Sequence, residues 1–174
     1  LPGQAPIAIS PDGKLLATTT AEDFYVLALW DLEASLASGS GQALSTNAGH
    51  EGGIEDIAFS PDGNRLATAS QDTTAKVWTL GPEGAQESLI LTGHTSFVHG
   101  LAFSPDGRSL ATGSDDGTVR MWDISPSGNQ EILTQAGHFD SRRRVAYSPD
   151  GARLATTNGD GQAIILDAES GETL

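Results

Sequence analysis

Apolar positions along this chain come in short runs, each closed by a cluster of turn-forming residues. Ile7-Ala8-Ile9, Ile57-Ala58-Phe59, Leu101-Ala102-Phe103 and Val145-Ala146-Tyr147 each lead into Ser-Pro-Asp-Gly, at 10–13, 60–63, 104–107 and 148–151. A Leu-Ala-Thr segment follows each time, at 16–18, 66–68, 110–112 and 154–156. Third runs end at Trp30-Asp31, Trp78-Thr79, Trp122-Asp123 and Leu166-Asp167. Proline presets φ, aspartate bonds back to the backbone and glycine takes positive φ, so Pro-Asp-Gly between two apolar runs predicts a tight hairpin turn. The turns are spaced by 50, 44 and 44 residues, a repeat of one unit. Segments 57–78 and 101–122 agree at 13 of 22 positions. Each unit reads as three antiparallel strands and a weaker fourth. In the third unit they fall near 98–103, 109–114, 118–123 and 131–135.

Composition agrees with an all-β chain and narrows its partners. The 174 residues include 21 Gly and 8 Pro, with 37% hydrophobic and only 18% charged residues. Neither a charge-rich helical protein nor a disordered tail has this profile. The formal net charge of −14 argues against nucleic acid and anionic membrane surfaces, which favour basic patches. There is no cysteine, hence no disulfide framework and no thiolate metal site. That fits a reducing compartment, and the expected location is cytoplasmic. No apolar run approaches the roughly 18 residues of a membrane span, and no secretory signal is visible. No glycine-rich loop opens a helix, so no phosphate cradle is expected.

Gly-His pairs at 49–50, 93–94 and 137–138, the four Ser-Pro-Asp-Gly turns and the terminal Trp-Asp together resemble the WD-repeat (WD40) β-propeller family, over essentially the whole chain. The tandem units are similar to bacterial-type repeats. The resemblance implies an all-β array of four blades, each of four antiparallel strands, at about 5–47, 54–92, 98–135 and 142–174. It also implies a buried tetrad per blade: His50, Ser70, Asp72 and Trp78 in the second, His94, Ser114, Asp116 and Trp122 in the third. In that scheme Asp accepts from imidazole, imidazole meets the hydroxyl, and the indole N–H closes the line. The fourth unit keeps His138 and Asp160 but has Asn158 and Leu166 in the other two places. The first has Thr20, Asp23 and Trp30 without a Gly-His pair.

A His, Ser and Asp trio invites a hydrolase reading. A trio that recurs once per unit is instead a structural staple, so no catalytic residue, metal or cofactor is assigned. Asn158-Gly159-Asp160-Gly161 lacks the later carboxylates of a calcium loop and reads as a repeat-derived turn. His99, beside Gly100, reads as a surface residue. Arg142, Arg143 and Arg144 hold three of the nine cations. They admit a solvated strand start, an inter-subunit contact or an anion site.

What the resemblance implies for function is a non-catalytic protein–protein interaction scaffold with partners on the top rim. Carried over, the rim positions are Glu51, Gly53 and Gln71, then Thr95, Phe97 and Asp115, then Phe139, Ser141 and Gly159, with Phe97 and Phe139 as aromatic anchors. Acidic surroundings at Glu51, Asp115 and Asp140 favour a basic partner. The alternatives are a regulatory or sensor module of a larger bacterial signalling protein, such as a kinase or nucleotide-switch ATPase, and a propeller enzyme using the central channel. Family rings hold about six to eight blades. Four blades therefore imply a homodimer forming an eight-bladed ring or part of a larger propeller, with a closed four-bladed ring the remaining arrangement.

Overall fold

The computed structural model describes residues 6–20, 23–39, 43–126, 130–136, 144–157 and 161–174. They form four antiparallel sheets in sequence order. The first holds β1 (Ile7–Ile9), β2 (Leu15–Thr19), β3 (Val26–Asp31) and β4 (Ser45–Ala48), with a seven-residue helix α1 (Leu32–Ser38) between the last two. The second holds β5 (Ile54–Phe59), β6 (Arg65–Ser70), β7 (Ala75–Gly81) and β8 (Gly84–Leu91). The third holds β9 (Val98–Phe103), β10 (Ser109–Ser114), β11 (Thr118–Asp123) and β12 (Gln130–Ala136). The fourth has three strands, β13 (Val145–Tyr147), β14 (Arg153–Thr157) and β15 (Ala163–Asp167), and a single antiparallel bridge from Leu166 to Thr173 begins a fourth. Helix α1 departs from the expected pattern. Asp31 ends β3 and also caps the helix by accepting from the Ala34 amide, and Gly39 closes it in the left-handed region.

The Ser-Pro-Asp-Gly segments are the hairpin turns the sequence predicts. In each, the Gly amide donates to the Ser carbonyl at 2.8–2.9 Å, and the Ser hydroxyl donates to the Asp carboxylate at 2.5–2.6 Å. The turns stack from sheet to sheet. A Cβ at Gly63 would lie 3.7 Å from Pro11, one at Gly107 would lie 3.8 Å from Pro61, and one at Gly151 would lie 3.4 Å from Pro105.

Sheets pack face to face in succession. Leu66 pairs with both Phe59 and Trp78, which places these residues on one face of the second sheet. That face packs on Ala17, Leu27 and Leu29 of the first. Leu101, Leu110 and Trp122 of the third sheet pack on Ala67, Val77 and Leu91 of the second. Val145, Leu154 and Leu166 of the fourth pack on Ala111, Val119 and Met121 of the third. The innermost strands β1, β5, β9 and β13 are neighbours in that order, and no comparable contact joins the fourth sheet to the first among the described residues. The four sheets form an open arc.

One turn carries visible strain. Thr73 has φ +73° in the β6–β7 turn, where the β10–β11 turn has Gly117 at φ +86°. A β-branched residue is disfavoured there, so Thr73→Gly should raise the unfolding free energy by about 0.5–1 kcal/mol despite glycine's greater unfolded-state entropy. A shift of the urea midpoint upward, without change of slope, is the expected readout.

Candidate interaction surface

Two buried polar chains order the loops at one rim of the arc. In the third sheet His94 Nδ1 lies 2.9 Å from Asp116 Oδ2, and His94 Nε2 lies 2.8 Å from Thr112 Oγ1. Trp122 Nε1 donates to the same Thr112 hydroxyl at 2.9 Å. In the second sheet His50, Asp72, Thr68 and Trp78 repeat this at 2.7, 2.7 and 3.0 Å. Both imidazoles are fully buried, and burial pulls their pKa below the ordinary histidine value even though the carboxylates oppose it. A neutral ring facing a carboxylate must place its one proton on Nδ1, which leaves Nε2 to accept from threonine.

The expected hydroxyls, Ser70 and Ser114, are therefore not the ones in the line. Thr68 and Thr112 take that place because they, two residues earlier on the same strand face, stand within reach of both ring and indole. Ser70 instead donates to the Gly52 carbonyl and accepts from the Asp72 amide, and Ser114 does the same with Ser96 and Asp116. The same correction applies in the first sheet: Trp30 Nε1 donates to Thr18 Oγ1 at 3.0 Å, while Thr20 bonds the backbone of Asp23. In the fourth sheet Leu166 stands where the indole would be, and the buried Thr156 hydroxyl has no partner among the described residues. His138, Asn158 and Asp160 lie outside the described residues.

The tetrad carboxylates also fix the rim. Asp72 accepts from the Glu51 amide at 3.0 Å and Asp116 from the Thr95 amide at 3.0 Å. Four donors converge on Asp116. Burial alone would raise its carboxyl, but bonds from Thr118, the Thr95 amide and His94 outweigh that and hold it at about 2. The two described Gly-His loops are thereby tied to the turns that follow their second strands, and Glu51, Gln71, Thr95 and Phe97 stand exposed on that edge. Phe97 is 44% exposed and meets the His99 ring edge-on at 6.2 Å. Phe24 and Tyr25, in the β2–β3 turn of the first sheet, are also exposed. Phe139, Ser141 and Gly159 lie outside the described residues.

His99 is not a plain surface residue. Its Nδ1 lies 3.3 Å from Glu55 of the second sheet and its Nε2 lies 2.8 Å from Asp115 of its own. Glu55 also accepts from Gln71. One step along the inner strands, Asp56 Oδ2 takes Arg144 of the fourth sheet at 3.0 Å and the Leu101 amide at 3.1 Å. Burial raises the Asp56 carboxyl, and the Arg144 guanidinium works against that rise. Arg144 is thus engaged by a carboxylate rather than held for an anion. Arg142 and Arg143 lie outside the described residues.

The WD domain, G-beta repeat family matches residues 41–79, 86–123 and 129–167. The chain belongs to the WD40 repeat family. Among its relatives are the periodic tryptophan protein 2 homolog of Neurospora crassa, 31% identical over 74 residues, and the ribosome biogenesis protein WDR12 homolog of Drosophila erecta, 33% identical over 81 residues. WD repeat-containing protein 1 of Gallus gallus is 38% identical over 76 residues. These matches cover 42%, 47% and 43% of this chain, but only 8%, 18% and 12% of the relatives. WD40 repeats are protein-interaction scaffolds and are generally non-catalytic.

In this WD40 chain the imidazoles, threonines and indoles of the two tetrads are buried, and their half-buried carboxylates hold the loops at the rim. A groove of about 500 Å³ runs between the third and fourth blades, lined by Ser104, Asp106, Tyr147 and Asp150. Its turn carboxylates are committed: Asp106 and Asp150 each accept from a serine hydroxyl and a backbone amide. No group of three metal-ligating side chains occurs among the described residues, and no described helix is long and apolar enough to cross a membrane.

Proposed function

We propose that this chain is a non-catalytic scaffold that binds a basic protein segment on the rim formed by the Gly-His loops and the turns following the second strands. The observation that carries the reading is Phe97, 44% exposed on a loop held rigid from below and flanked by Asp115, Glu55 and His99. A pre-ordered exposed aromatic is a good anchor because little entropy remains to be lost on binding. Glu51, Glu55 and Asp115 give the rim a negative field, within a chain of net charge −14, and that field attracts cations. A lysine or arginine of the partner gains further by stacking on the Phe97 ring. The arc works within a completed ring, made by a second copy or by the blades of a larger propeller, in a reducing, cytoplasmic setting.

Anisotropy titrations with lysine- and arginine-rich peptides, and with the same peptides carrying glutamate instead, test this. The basic set should bind, added salt should weaken it, and Phe97→Ala should cost at least ~tenfold in affinity, about 1.4 kcal/mol, at an unchanged melting temperature. Equal binding of acidic and basic peptides would overturn the reading.

A further inference from the structure

At the edge of the arc away from the Gly-His rim, beside the Ser-Pro-Asp-Gly turns, one position changes chemistry from junction to junction. It is the residue that opens the second strand: Leu15 in the first sheet, Arg65 in the second and Ser109 in the third. Leu15 packs into the apolar cluster between the first and second sheets, together with Phe59 and Leu80. Arg65 reaches across into the third sheet. Its guanidinium donates to the Ile124 carbonyl at 3.0 Å and the Gly107 carbonyl at 2.5 Å, and lies 5.9 Å from the centre of the Phe103 ring. A planar fork suits two acceptors and an aromatic face at once.

Ser109 is too short to repeat this, yet the receiving parts are present one repeat on, in the fourth sheet. The Gly151 carbonyl stands for that of Gly107 and the Ala168 carbonyl for that of Ile124. Tyr147 stands for Phe103, since it pairs with Leu154 as Phe103 pairs with Leu110. The backbone follows the same course, because the Ala168 amide donates to Ala152 as the Ile124 amide donates to Arg108. A Cβ built on Gly107 would meet Arg65 at 3.3 Å, whereas one built on Gly151 would meet only Pro105. No described residue donates to the Gly151 or Ala168 carbonyl. Gly151, Ala168 and Tyr147 all line the groove of about 500 Å³ between the third and fourth sheets.

The charge of this groove fits a cation. Asp106, Asp150, Asp167 and Glu169 line it and no described cation does, whereas Arg65 and Arg108 line the matching groove one junction earlier. The three aspartates bond their own turns through Oδ1, which leaves the second oxygen of each to take a donor. Those bonds hold the three carboxyls below the ordinary aspartate value, so all are charged at neutral pH.

We propose that this groove binds an arginine side chain of a partner protein, which supplies from outside the guanidinium that Arg65 supplies from within one junction earlier. The fork meets the Gly151 and Ala168 carbonyls over the Tyr147 ring, with Glu169 and the turn aspartates around its charge. The compact ammonium of lysine does not span both carbonyls and the ring. Both walls of the groove belong to the third and fourth sheets. A blade added at either end of the arc would pack on a sheet face, away from it. The site lies at the opposite edge from Phe97 and does not depend on the rim reading.

Nuclear magnetic resonance titration of the whole chain tests this, using a capped Gly-Ser peptide with one arginine and the same peptide with lysine or citrulline instead. The Ala152, Ala168 and Glu169 amides should shift saturably with the arginine peptide. The lysine peptide should bind at least ~tenfold more weakly, and the uncharged citrulline peptide should not bind. Ser109→Arg should occupy the site from within, cutting peptide affinity at least ~tenfold while raising the melting temperature. Glu169→Lys, on an exposed turn, should weaken binding by about the same factor at unchanged circular dichroism. No saturable shift at these amides overturns the proposal. So does equal binding of the arginine and lysine peptides, or binding indifferent to both substitutions. Phe97→Ala should leave these shifts unchanged, so the groove and the rim stand or fall separately.

Discussion

Trp122→Ala should be the most damaging single change in the molecule, at about 3–5 kcal/mol. Trp122 is buried in the junction between second and third sheets, and its indole N–H ends the chain running Asp116, His94, Thr112. Alanine leaves a cavity there and removes the donor that Thr112 accepts from. Thr112→Val keeps the shape but strands two buried groups, the indole N–H and His94 Nε2, and should cost about 2–3 kcal/mol. Ser114→Ala should cost about 1 kcal/mol, since it loosens only the Ser96 carbonyl and the Asp116 amide at the loop. Leu166→Ala should fall near 2 kcal/mol, because the fourth sheet has no indole to lose and its Thr156 hydroxyl has no partner among the described residues. Urea unfolding of the four variants ranks them. Ser114→Ala costing more than Thr112→Val would restore the serine to the polar line, and Leu166→Ala as the worst change would move the stability centre to the end of the arc.

The threonine and serine could not be told apart by pattern. Thr68 and Ser70, like Thr112 and Ser114, are two residues apart on one strand and point to the same face, so alternation gives both equal claim. Only the depth of the imidazole relative to the strand decides, and that depends on packing from the neighbouring sheet. Strand positions were far more legible. The third unit's first two strands are expected near 98–103 and 109–114 and run Val98–Phe103 and Ser109–Ser114, because the Pro-Asp-Gly turn fixes the register of the two strands it joins. Helix α1 was hidden by the repeat itself. Asp31 occupies the place of Thr79, inside β7, and of Asp123, the end of β11, yet here it caps Leu32–Ser38 ahead of Gly39. The Glu55–His99–Asp115 contact had one readable trace: Glu55 and His99 stand 44 residues apart, one repeat spacing, so an acid and a base fall at equivalent places on adjacent inner strands.

Stability should fall in two steps as pH is lowered from neutral. Burial lowers the pKa of His50 and His94 in the folded state, so the unfolded chain takes up these two protons first. Unfolding therefore binds protons, and stability is lost as pH drops through the unfolded histidine value, near 6.5, toward the lower folded values. The second step comes from the tetrad carboxylates. Asp116 is held at about 2 against an ordinary value of 3.8, and Asp72 is also lowered. Their stabilisation is present above the ordinary carboxylate range and disappears as pH falls through the folded values. For Asp116 the loss should be on the order of 1–2 kcal/mol after solvent screening. The turn aspartates Asp12, Asp62, Asp106 and Asp150 are lowered as well, chiefly by their serine hydroxyls, and act in the same low window. Urea midpoints measured at intervals from neutral pH down to the carboxylate range should trace both steps. His94→Gln should flatten the upper step by about half, since one of two buried imidazoles is gone, and should shrink the share of Asp116 in the lower one, because His94 is among the donors that hold that carboxyl low. A midpoint that rises as the histidine range is crossed would have the opposite meaning. The imidazoles would then gain protons in the fold, the His–Asp contacts would be ion pairs, and the attraction of Asp72 and Asp116 would outweigh burial.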